Sequence, residues 1–477
     1  MTQDGDDKRP KRSQATLLVE LARRRYKLLI SSDSGRAYAV SQDGSNVALQ
    51  LRGNGGFRAK LAKHFAQEYG TVPSQNALAE ALIVLEGFAA DHEPEPVYLR
   101  VGSIGEQIVL DLGSPDGRCV VAGPGGWSTT SRSPVVFRRT NAMQPLPVPL
   151  RDDLGLRPLR ELLNIDDEGF QLMVGWLLAA MLPEIPHPIL ALKGEQGTAK
   201  SMTARLLLGL IDPSGAPLRT APRDPKTWVT SASASWTVCL DNVSTIQSWL
   251  SDTLCRAVTG EGFVDRALFT DDDVVVLAFR RAIVITTIDA GALAGDLGER
   301  LLLVEPPLIP RSRRRSEQDV QTRYAAARPA ILAELLDLLS AVLATLPRVH
   351  LDSMPRMADF ARVLAVLDEV TEWSTLDAYL SRADSVSADV LANDPFGQAV
   401  LDFVTESRSW EGTATELLAA LEMPDPRPKG WPRGASQSGG QIRRLAPALR
   451  DRGIEVAEDR VGKNRNRLLR LHMPAEK

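Results

Sequence analysis

The sequence predicts an α/β core built around a phosphate-binding loop, preceded by an α+β domain and followed by a helical region and a small basic module. Three observations support this fold class. Between residues 186 and 310, apolar runs alternate with helical stretches, which is typical of a parallel sheet. A glycine-containing loop follows one of these runs and ends in Lys-Ser. From Asp425 onward there are thirteen Lys and Arg against six Asp and Glu, although the 477-residue chain has a net charge of −4.

The first part of the chain predicts a mixed domain of unknown role at 15–148, after a polar, disordered tail at 1–14. A Ser-Asp-Ser-Gly turn ending at Gly35 separates two apolar runs and predicts a hairpin. Helices are expected at 57–68 and 75–88, and short strands at 97–101, 107–112, 118–122 and 135–138. The domain has no Asp-x-Asp pair and no zinc cluster, so we do not expect a polymerising primase site in it.

The regions around the core are predicted to be helical. After a proline-containing linker at 145–149, residues 150–185 are expected to form a helical collar of two helices. The second helix is so apolar that it is either a buried core helix or one that packs between subunits. Residues 316–392 predict a helical lid region, and 393–477 a final small domain.

The core itself, 186–310, contains the phosphate-loop pattern. The apolar run at 189–192 predicts a strand, the loop follows it, and a helical pattern begins at Lys-Ser. Backbone N–H groups of such a loop bind an anion, Lys200 would reach the β- and γ-phosphates, and Ser201 would bind Mg²⁺. ATP and Mg²⁺ are therefore the expected cofactors. Ala199 replaces the usual glycine, and we expect right-handed backbone there. The residues predicted to contact the nucleotide are Gly194, Glu195, Gln196, Gly197, Thr198, Ala199, Lys200, Ser201 and Met202.

Two further strands are expected to end beside this loop. Asp241 ends an apolar strand and is predicted to be the second metal-binding residue, the alternative being an exposed carboxylate without a role. Asn242 stands where many such ATPases carry a catalytic glutamate, so the base is left open between Glu261 and a group from another subunit. The strand at 282–289 presents two threonines, of which Thr287 is the candidate we name for contact with the γ-phosphate, with Thr286 the alternative.

Two arginines are candidates for contact with the nucleotide from further away. Arg300 precedes the apolar run at 301–304 and is predicted to act as an arginine finger on a neighbouring subunit. The alternative is a surface arginine paired with Glu299. Arg356 is either a lid residue that reaches the nucleotide or a structural arginine near a helix start.

The segment 255–270 carries a family resemblance. Its Thr-Gly-Glu turn ending at Glu261, its Arg266 and its Leu-Phe-Thr ending at Thr270 resemble the extra motif of superfamily 3 helicases. Over about 150–375 the chain resembles helicase-like AAA+ ATPases of bacterial prophages and integrative elements, which are related to the C-terminal half of phage and poxvirus-type primase-helicases. The resemblance implies a ring with a hairpin that faces a central channel, in which Arg266 contacts single-stranded DNA and Glu261 lies near the nucleotide.

The basic C-terminus, 393–477, predicts a winged helix-turn-helix. A helix begins after Thr413, a second spans 438–452, and two apolar runs flank a basic turn that would form the wing. Such a module places a helix in the major groove of duplex DNA and the wing on phosphates, or else binds protein. The residues predicted to contact DNA here are Arg443, Arg444, Arg450, Lys463, Arg465 and Arg467.

Together these features lead to three functional hypotheses. The first is an ATP-driven DNA helicase or translocase that replicates a prophage or mobile element as a homo-oligomeric ring, a hexamer, with a primase or polymerase as a further partner. The second is an ATP-dependent DNA-binding initiator or switch with weak hydrolysis, and the third is a small-molecule kinase.

The scattered Cys119, Cys239 and Cys255 predict reduced, buried thiols and no metal site. No apolar run reaches the length of a membrane span, so we expect a cytoplasmic protein with no membrane partner.

Overall fold

The computed structural model describes residues 12–53, 56–261, 263–266, 274–277, 279–288, 297–392, 394–461 and 466–474. Most of the predicted tail lies outside these residues, and Gln14 begins the first helix. This helix was not predicted; Ser13 caps it by accepting a hydrogen bond from the backbone N–H of Thr16.

The N-terminal part contains two separate sheets, and its helices pack against the first of them. The sheets have the strand orders β1-β2-β3-β9-β4 and β5-β6-β7-β8. The elements are α1 (Gln14–Arg25), β1 (Tyr26–Ile30), β2 (Ala37–Ser41), β3 (Val47–Gln50), α2 (Phe57–Tyr69), α3 (Gln75–Ala90), β4 (Val97–Tyr98), β5 (Val101–Ile104), β6 (Gln107–Asp111), β7 (Cys119–Gly123), β8 (Gly126–Thr130) and β9 (Val136–Arg138).

The hairpin predicted around Gly35 is confirmed, because β1 and β2 pair antiparallel. The single strand predicted at 97–101 is wrong: it is two strands that belong to different sheets. The chain bends at Arg100, whose side chain is completely buried. Its Nε lies 2.9 Å from Oδ1 of Asp212, a residue of the following α/β core. Asp212 also accepts from the backbone N–H groups of Trp236 and Thr237. This buried pair fastens the N-terminal sheets to the core.

The predicted parallel sheet is confirmed, with the strand order β11-β12-β15-β10-β16. A separate antiparallel hairpin, β13 and β14, lies between β12 and β15 in sequence. The elements are α4 (Arg157–Leu162), α5 (Asp167–Ala179), β10 (Ile189–Lys193), α6 (Lys200–Ile211), β11 (Leu218–Arg219), α7 (Pro225–Ser233), β12 (Thr237–Val243), α8 (Ser248–Thr259), β13 (Phe263–Arg266), β14 (Val274–Leu277), β15 (Ala282–Thr287), β16 (Leu301–Val304), α9 (Glu317–Thr345), α10 (Ala358–Thr371) and α11 (Thr375–Ala392).

The two faces of the parallel sheet pack into different hydrophobic cores. Leu190 and Leu192 of β10 belong to one core, together with α5, α6, α9 and α10, whereas Ile189 and Ala191 face the other. This alternation follows from the two-residue period of a strand. The apolar helix α5 lies in the first core, with Trp176 fully buried, so the core alternative for this helix is the observed one. Cys119, Cys239 and Cys255 are buried, as predicted.

Helix α9 differs from the sequence-based expectation about membrane spans. The segment Glu317–Arg348 is long and apolar enough to cross a membrane, with a mean hydropathy of 1.8 in its most apolar window. Its apolar side chains nevertheless pack in the first core, where Leu332, Leu335 and Leu339 are completely buried. The composition of α9 is therefore explained by its central position in the protein's own interior.

The last part of the chain packs against the second core. It contains α12 (Pro395–Ser407), β17 (Ser409–Gly412), α13 (Ala414–Ala420), α14 (Ala435–Asp451), β18 (Glu455–Val461) and β19 (Asn466–His472), and the strand order is β17-β19-β18. Thr413 and Glu416 form a capping box at the start of α13. Helix α14 begins three residues before the predicted position, and β17 was not predicted.

Candidate nucleotide-binding site

The phosphate loop joins β10 to α6 through two residues with left-handed backbone. Gly197 has φ 89° and Ala199 has φ 65°. Alternation of right- and left-handed residues turns successive N–H groups toward one point and so forms an anion-binding concavity. The expectation of right-handed backbone at Ala199 is wrong. An alanine in this conformation costs about 1–2 kcal/mol, because its Cβ approaches the following carbonyl oxygen.

The loop is held from two sides by residues outside the motif. The N–H of Gly194 donates to the carbonyl oxygen of Thr287 at the end of β15, 3.1 Å away. On the other side, the side-chain amide of Asn164 donates to the carbonyl oxygens of Thr198, at 3.3 Å, and of Pro307, at 2.5 Å. Sequence analysis missed Asn164, which lies in the turn between α4 and α5 and has no local pattern to mark it.

Lys200 folds over the loop that precedes it. Its Nζ donates to the carbonyl oxygens of Gly194, at 2.5 Å, and of Glu195, at 2.7 Å. Partial burial lowers the pKa of Lys200 from its usual value of 10.5, while the negative charge of Asp241 acts in the opposite direction. The ammonium group is thus placed at the loop by backbone carbonyls. Met202 points away from the loop, since its sulfur accepts a hydrogen bond from Gln321 of α9.

Three oxygen-bearing side chains meet beside Lys200. The hydroxyl groups of Ser201 and Thr286 each donate to Oδ1 of Asp241, and both distances are 2.7 Å. The backbone N–H of Asn242 in turn donates to the hydroxyl of Thr286, at 2.8 Å. The first residue of α6 after the lysine, the end of β12 and the end of β15 are therefore joined in one polar network.

A bulge in β12 directs Asp241 into this network. The pairing of β12 with β15 shifts register between Leu240 and Val243, and Asn242 has a left-handed φ of 55°. Bulges of this kind change the direction of a side chain and are common next to active sites. The strand thus continues past Asp241 to Val243 instead of ending at the carboxylate.

Of the two candidate threonines, the structure brings Thr286 to the site. Adjacent residues of a strand point to opposite faces. The hydroxyl of Thr287 is completely buried and donates to the carbonyl oxygen of Val243, at 2.7 Å. The hydroxyl of Thr287 is thus directed to Val243, and Thr287 contacts the loop through its backbone carbonyl.

The donor set fits a magnesium ion. Ser201 and Asp241 offer a hydroxyl and a carboxylate, both hard oxygen ligands, on two neighbouring elements. Mg²⁺ is usually held by one or two carboxylates together with substrate phosphates, instead of by an all-protein cage. In agreement with this, the part of the chain that the structure describes has no group of three His, Cys, Asp or Glu that could hold a metal ion.

Glu261 is a correction to the resemblance. It follows the C-terminal end of α8, where Val258 accepts from the N–H of His187 and Ala257 accepts from the N–H of Arg281. His187 and Arg281 lie just before β10 and β15, so this end of α8 borders the edge at which the parallel strands begin. The phosphate loop borders the edge at which they end. Glu261 therefore lies far from Lys200 of the same chain.

Arg300 is buried, whereas Arg356 lies just before α10 and forms an ion pair. Arg300 lies in a short turn before β16 and is buried, with 9% of its surface exposed. Glu299 pairs with Arg356 instead, at 2.7 Å between Nη1 and Oε2. Arg300 is buried, unlike the surface arginine of the alternative interpretation.

The predicted channel hairpin is partly described. Strands β13 and β14 pair antiparallel, with Arg266 opposite Val274. The side chain of Arg266 and the Leu-Phe-Thr that follows it lie outside the described residues.

The predicted DNA-binding residues of the last domain are exposed but mostly paired. Arg443 and Arg467 both lie near Glu458, at 3.1 Å and 3.5 Å, and Arg444 lies 3.6 Å from Asp394. The guanidinium of Arg450 donates weakly to a backbone carbonyl at 3.5 Å. Lys463 and Arg465 lie outside the described residues.

Comparison with protein-family models identifies most of the chain beyond the N-terminal domain. Residues 157–389 match the model of the actinomycete integrative conjugative element replication protein. Residues 396–477 match the model of the C-terminal domain of the same family. The chain belongs to this family of replication proteins. The match agrees with the predicted integrative element, and it assigns the core and the last domain to one family.

Solved structures give weaker similarities. The apo structure of the NrS-1 C-terminal region shares 11% identity over 97% of this chain and 100% of that chain, with a TM-score of 0.40. A structure described as the active helicase Cch of SCCmec type IV shares 11% identity over 94% and 93%, with a TM-score of 0.42. The JCV helicase shares 13% over 49% and 72%, with a TM-score of 0.23. No curated protein matches the chain.

Proposed function

We propose that this replication protein is an ATP-dependent DNA helicase or translocase that acts as a homo-oligomeric ring, a hexamer, in replication of its element. The observation that carries the proposal is the network of Ser201, Asp241 and Thr286 beside Lys200. A lone phosphate loop occurs in many protein classes. The loop together with a carboxylate and a hydroxyl from two adjacent strand ends is what phosphoryl transfer from ATP requires.

In the proposed reaction each residue of the network has a separate task. Lys200 neutralises charge on the β- and γ-phosphates, and loop N–H groups bind the same oxygens. Ser201 and Asp241 hold the magnesium ion, which supplies charge neutralisation on the phosphates when it is bound. Thr286 orients the attacking water, since its hydroxyl is within hydrogen-bond distance of Asp241 and of the Asn242 N–H.

The DNA-binding part of the proposal rests on the last domain and on the hairpin. The order helix, strand, helix, helix and two-stranded hairpin in 395–472 is the order of a winged helix-turn-helix. Helix α14 presents Arg443, Arg444 and Arg450 on its exposed side. We propose that this helix binds duplex DNA, and that β13 and β14 contact single-stranded DNA through Arg266.

A second candidate function is an ATP-dependent DNA-binding switch. Asn242 is exposed at the position of the usual catalytic glutamate, and a carboxamide cannot take a proton from water. The base would then come from a neighbouring subunit or be missing. A protein without it would bind ATP and assemble, but would hydrolyse ATP slowly.

The ring and the cellular setting are proposals of the same kind. In a homo-oligomer, Arg300 of one subunit would be a second cation at the site of its neighbour. Because Arg300 is buried, we propose that this contribution depends on assembly. A primase or polymerase is the proposed further partner, and the cytoplasm the proposed location.

The test is ATP hydrolysis by the purified protein with and without single-stranded DNA, beside Lys200→Ala and Arg300→Ala. A helicase gives DNA-stimulated turnover that both substitutions abolish, because one removes the phosphate contact and the other the intersubunit cation. Lys226→Ala, an exposed lysine on α7, is the matched control and should leave turnover unchanged. Tight ATP binding with negligible turnover would favour the switch, and wild-type turnover in Lys200→Ala would contradict both.

A further inference from the structure

Arg314 lies beside the phosphate loop, although nothing in its sequence context marks it as a nucleotide contact. It follows the short turn Arg311–Arg313 in the segment that joins β16 to α9. One terminal nitrogen of its guanidinium lies 3.4 Å from the position that a Cβ on Gly197 would occupy. Gly197 is the left-handed glycine at the middle of the loop, so the guanidinium borders the concavity formed by the loop.

The segment that carries Arg314 is fixed against the loop at several points. The N–H of Ile309 donates to the carbonyl oxygen of Gly197, at 3.4 Å. Asn164 bridges the carbonyl oxygens of Pro307 and Thr198, and so ties this segment and the loop to the same side chain. Further along, the guanidinium of Arg315 donates to the carbonyl oxygen of Glu161, at 3.1 Å. The backbone on both sides of Arg314 is therefore held by the collar and by the loop.

The guanidinium of Arg314 makes few contacts within the described part of the chain. Its Nε makes a long hydrogen bond of 3.4 Å to the carbonyl oxygen of Ile309. Among the described residues no carboxylate lies within ion-pair distance of this guanidinium. Four of its five N–H donors are on the two terminal nitrogens, in the planar arrangement that suits phosphate oxygens. A side chain held close to an anion-binding loop, with its donors available, is suited to bind the same anion.

We propose that Arg314 binds a phosphate of the nucleotide in its own subunit, beside Gly197 of the loop. The inference rests on the proposed ATP site and adds a cation that acts within the chain. Because the contact is to phosphate and not to the base, it should matter most for nucleotides with two or three phosphates.

The test is equilibrium binding of ATP, ADP and AMP, with magnesium, to wild-type protein, Arg314→Ala, Arg314→Lys and Lys200→Ala. Arg314→Ala should weaken ATP binding roughly ten- to a hundredfold, as expected for loss of a hydrogen-bonded charge, and should change AMP binding little. Arg314→Lys should recover part of the affinity because it keeps the charge without the fork. Arg311→Ala, an exposed arginine of the same segment, is the matched control.

Each other outcome has a separate meaning. Equal losses for ATP and AMP, or a lower melting temperature of the nucleotide-free Arg314→Ala protein, would make Arg314 a structural residue and overturn the inference. If Lys200→Ala lowers the affinity for ATP and Arg314→Ala does not, the inference fails while the proposed ATP site stands. If the wild-type protein binds no nucleotide, the proposed function itself fails.

Discussion

The phosphate loop and the last domain are both rich in cations, but the fold treats the two sets differently. Lys200 and Arg314 donate to backbone carbonyls, which leave their net charge in place. Arg443 and Arg467 share the carboxylate of Glu458, which cancels part of theirs. The sequence predicts the loop as anion-binding from its motif, and the last domain from its excess of Lys and Arg. Which charges are available to a ligand depends on the carboxylates that the fold brings next to them.

The largest expected effect is that of replacing Asp241, whose carboxylate accepts hydrogen bonds from both hydroxyl groups beside the loop. Asp241→Asn keeps an oxygen acceptor for Ser201 and Thr286, so the fold should be retained, but it removes the negative charge needed for the metal. ATP turnover should fall by at least about 10²-fold, since metal stabilisation of transition-state charge contributes several kcal/mol. Turnover measured against magnesium concentration checks this. Asp252→Asn, on the exposed side of α8, is the control, and equal turnover in both variants would contradict the assignment of Asp241.

The next largest effect is expected when the arginines of the last domain lose a carboxylate partner. Their charges would then be available to a ligand, as those at the phosphate loop are. Glu458→Gln removes the carboxylate shared by Arg443 and Arg467 and should free both for DNA phosphates. Breaking two exposed ion pairs costs little, so affinity for duplex DNA should rise roughly three- to tenfold at low salt. The slope of log K against log salt should steepen by up to about 1.8. Binding titrations across a salt series test this against Glu406→Gln, an exposed glutamate of α12. An unchanged slope would mean that these arginines do not contact DNA.

A smaller effect is expected from the backbone of the loop. Ala199→Gly relieves a left-handed alanine, which costs about 1–2 kcal/mol, but it also adds freedom to the unfolded chain. We expect a small rise in melting temperature and in ATP affinity, the latter at most about fivefold. Ala66→Gly, inside α2, should have the opposite effect on stability because its backbone is helical. A drop in stability for Ala199→Gly would show that the strain is compensated.

The smallest effect concerns protonation of Lys200. Its pKa is lowered by burial in the free protein, and a bound polyphosphate would raise the pKa again by adding negative charge. At a pH between these two pKa values, ATP binding should take up a fraction of a proton, and affinity should fall as pH rises through the lower one. Calorimetric titrations in buffers of different ionisation enthalpy measure the uptake. Lys200→Arg should show none, because arginine does not titrate in this range.

Local patterns predicted the centre of the fold well. The strand before the loop, the helix after it and the strands β12 and β15 all follow from short apolar runs with clear ends. Lys200, Ser201 and Asp241 came together as expected, because parallel strands end at one edge of a sheet.

What the sequence could not predict depended on register and on distant contacts. The choice between Thr286 and Thr287 depends on which face each residue takes, and a one-residue error reverses it. The bend at Arg100 depends on Asp212, more than a hundred residues later. Glu261 was placed near the nucleotide by position in a motif, whereas packing of α8 sets it at the other edge of the sheet. Arg314 lies in a segment without periodicity, and its importance comes from the loop beside it.

Strand β15 connects two places that are far apart in function. It starts directly after Arg281, close to the hairpin of β13 and β14, and ends with Thr286 and Thr287 at the phosphate loop. Six extended residues span about 20 Å, and β15 is hydrogen-bonded on both sides within the sheet. A rigid rod of this kind stretches very little, so a displacement of Thr286 along the strand axis has to appear at Arg281 with nearly the same size. The start of β15 after Arg281 and the nucleotide edge are thereby mechanically coupled by a single strand.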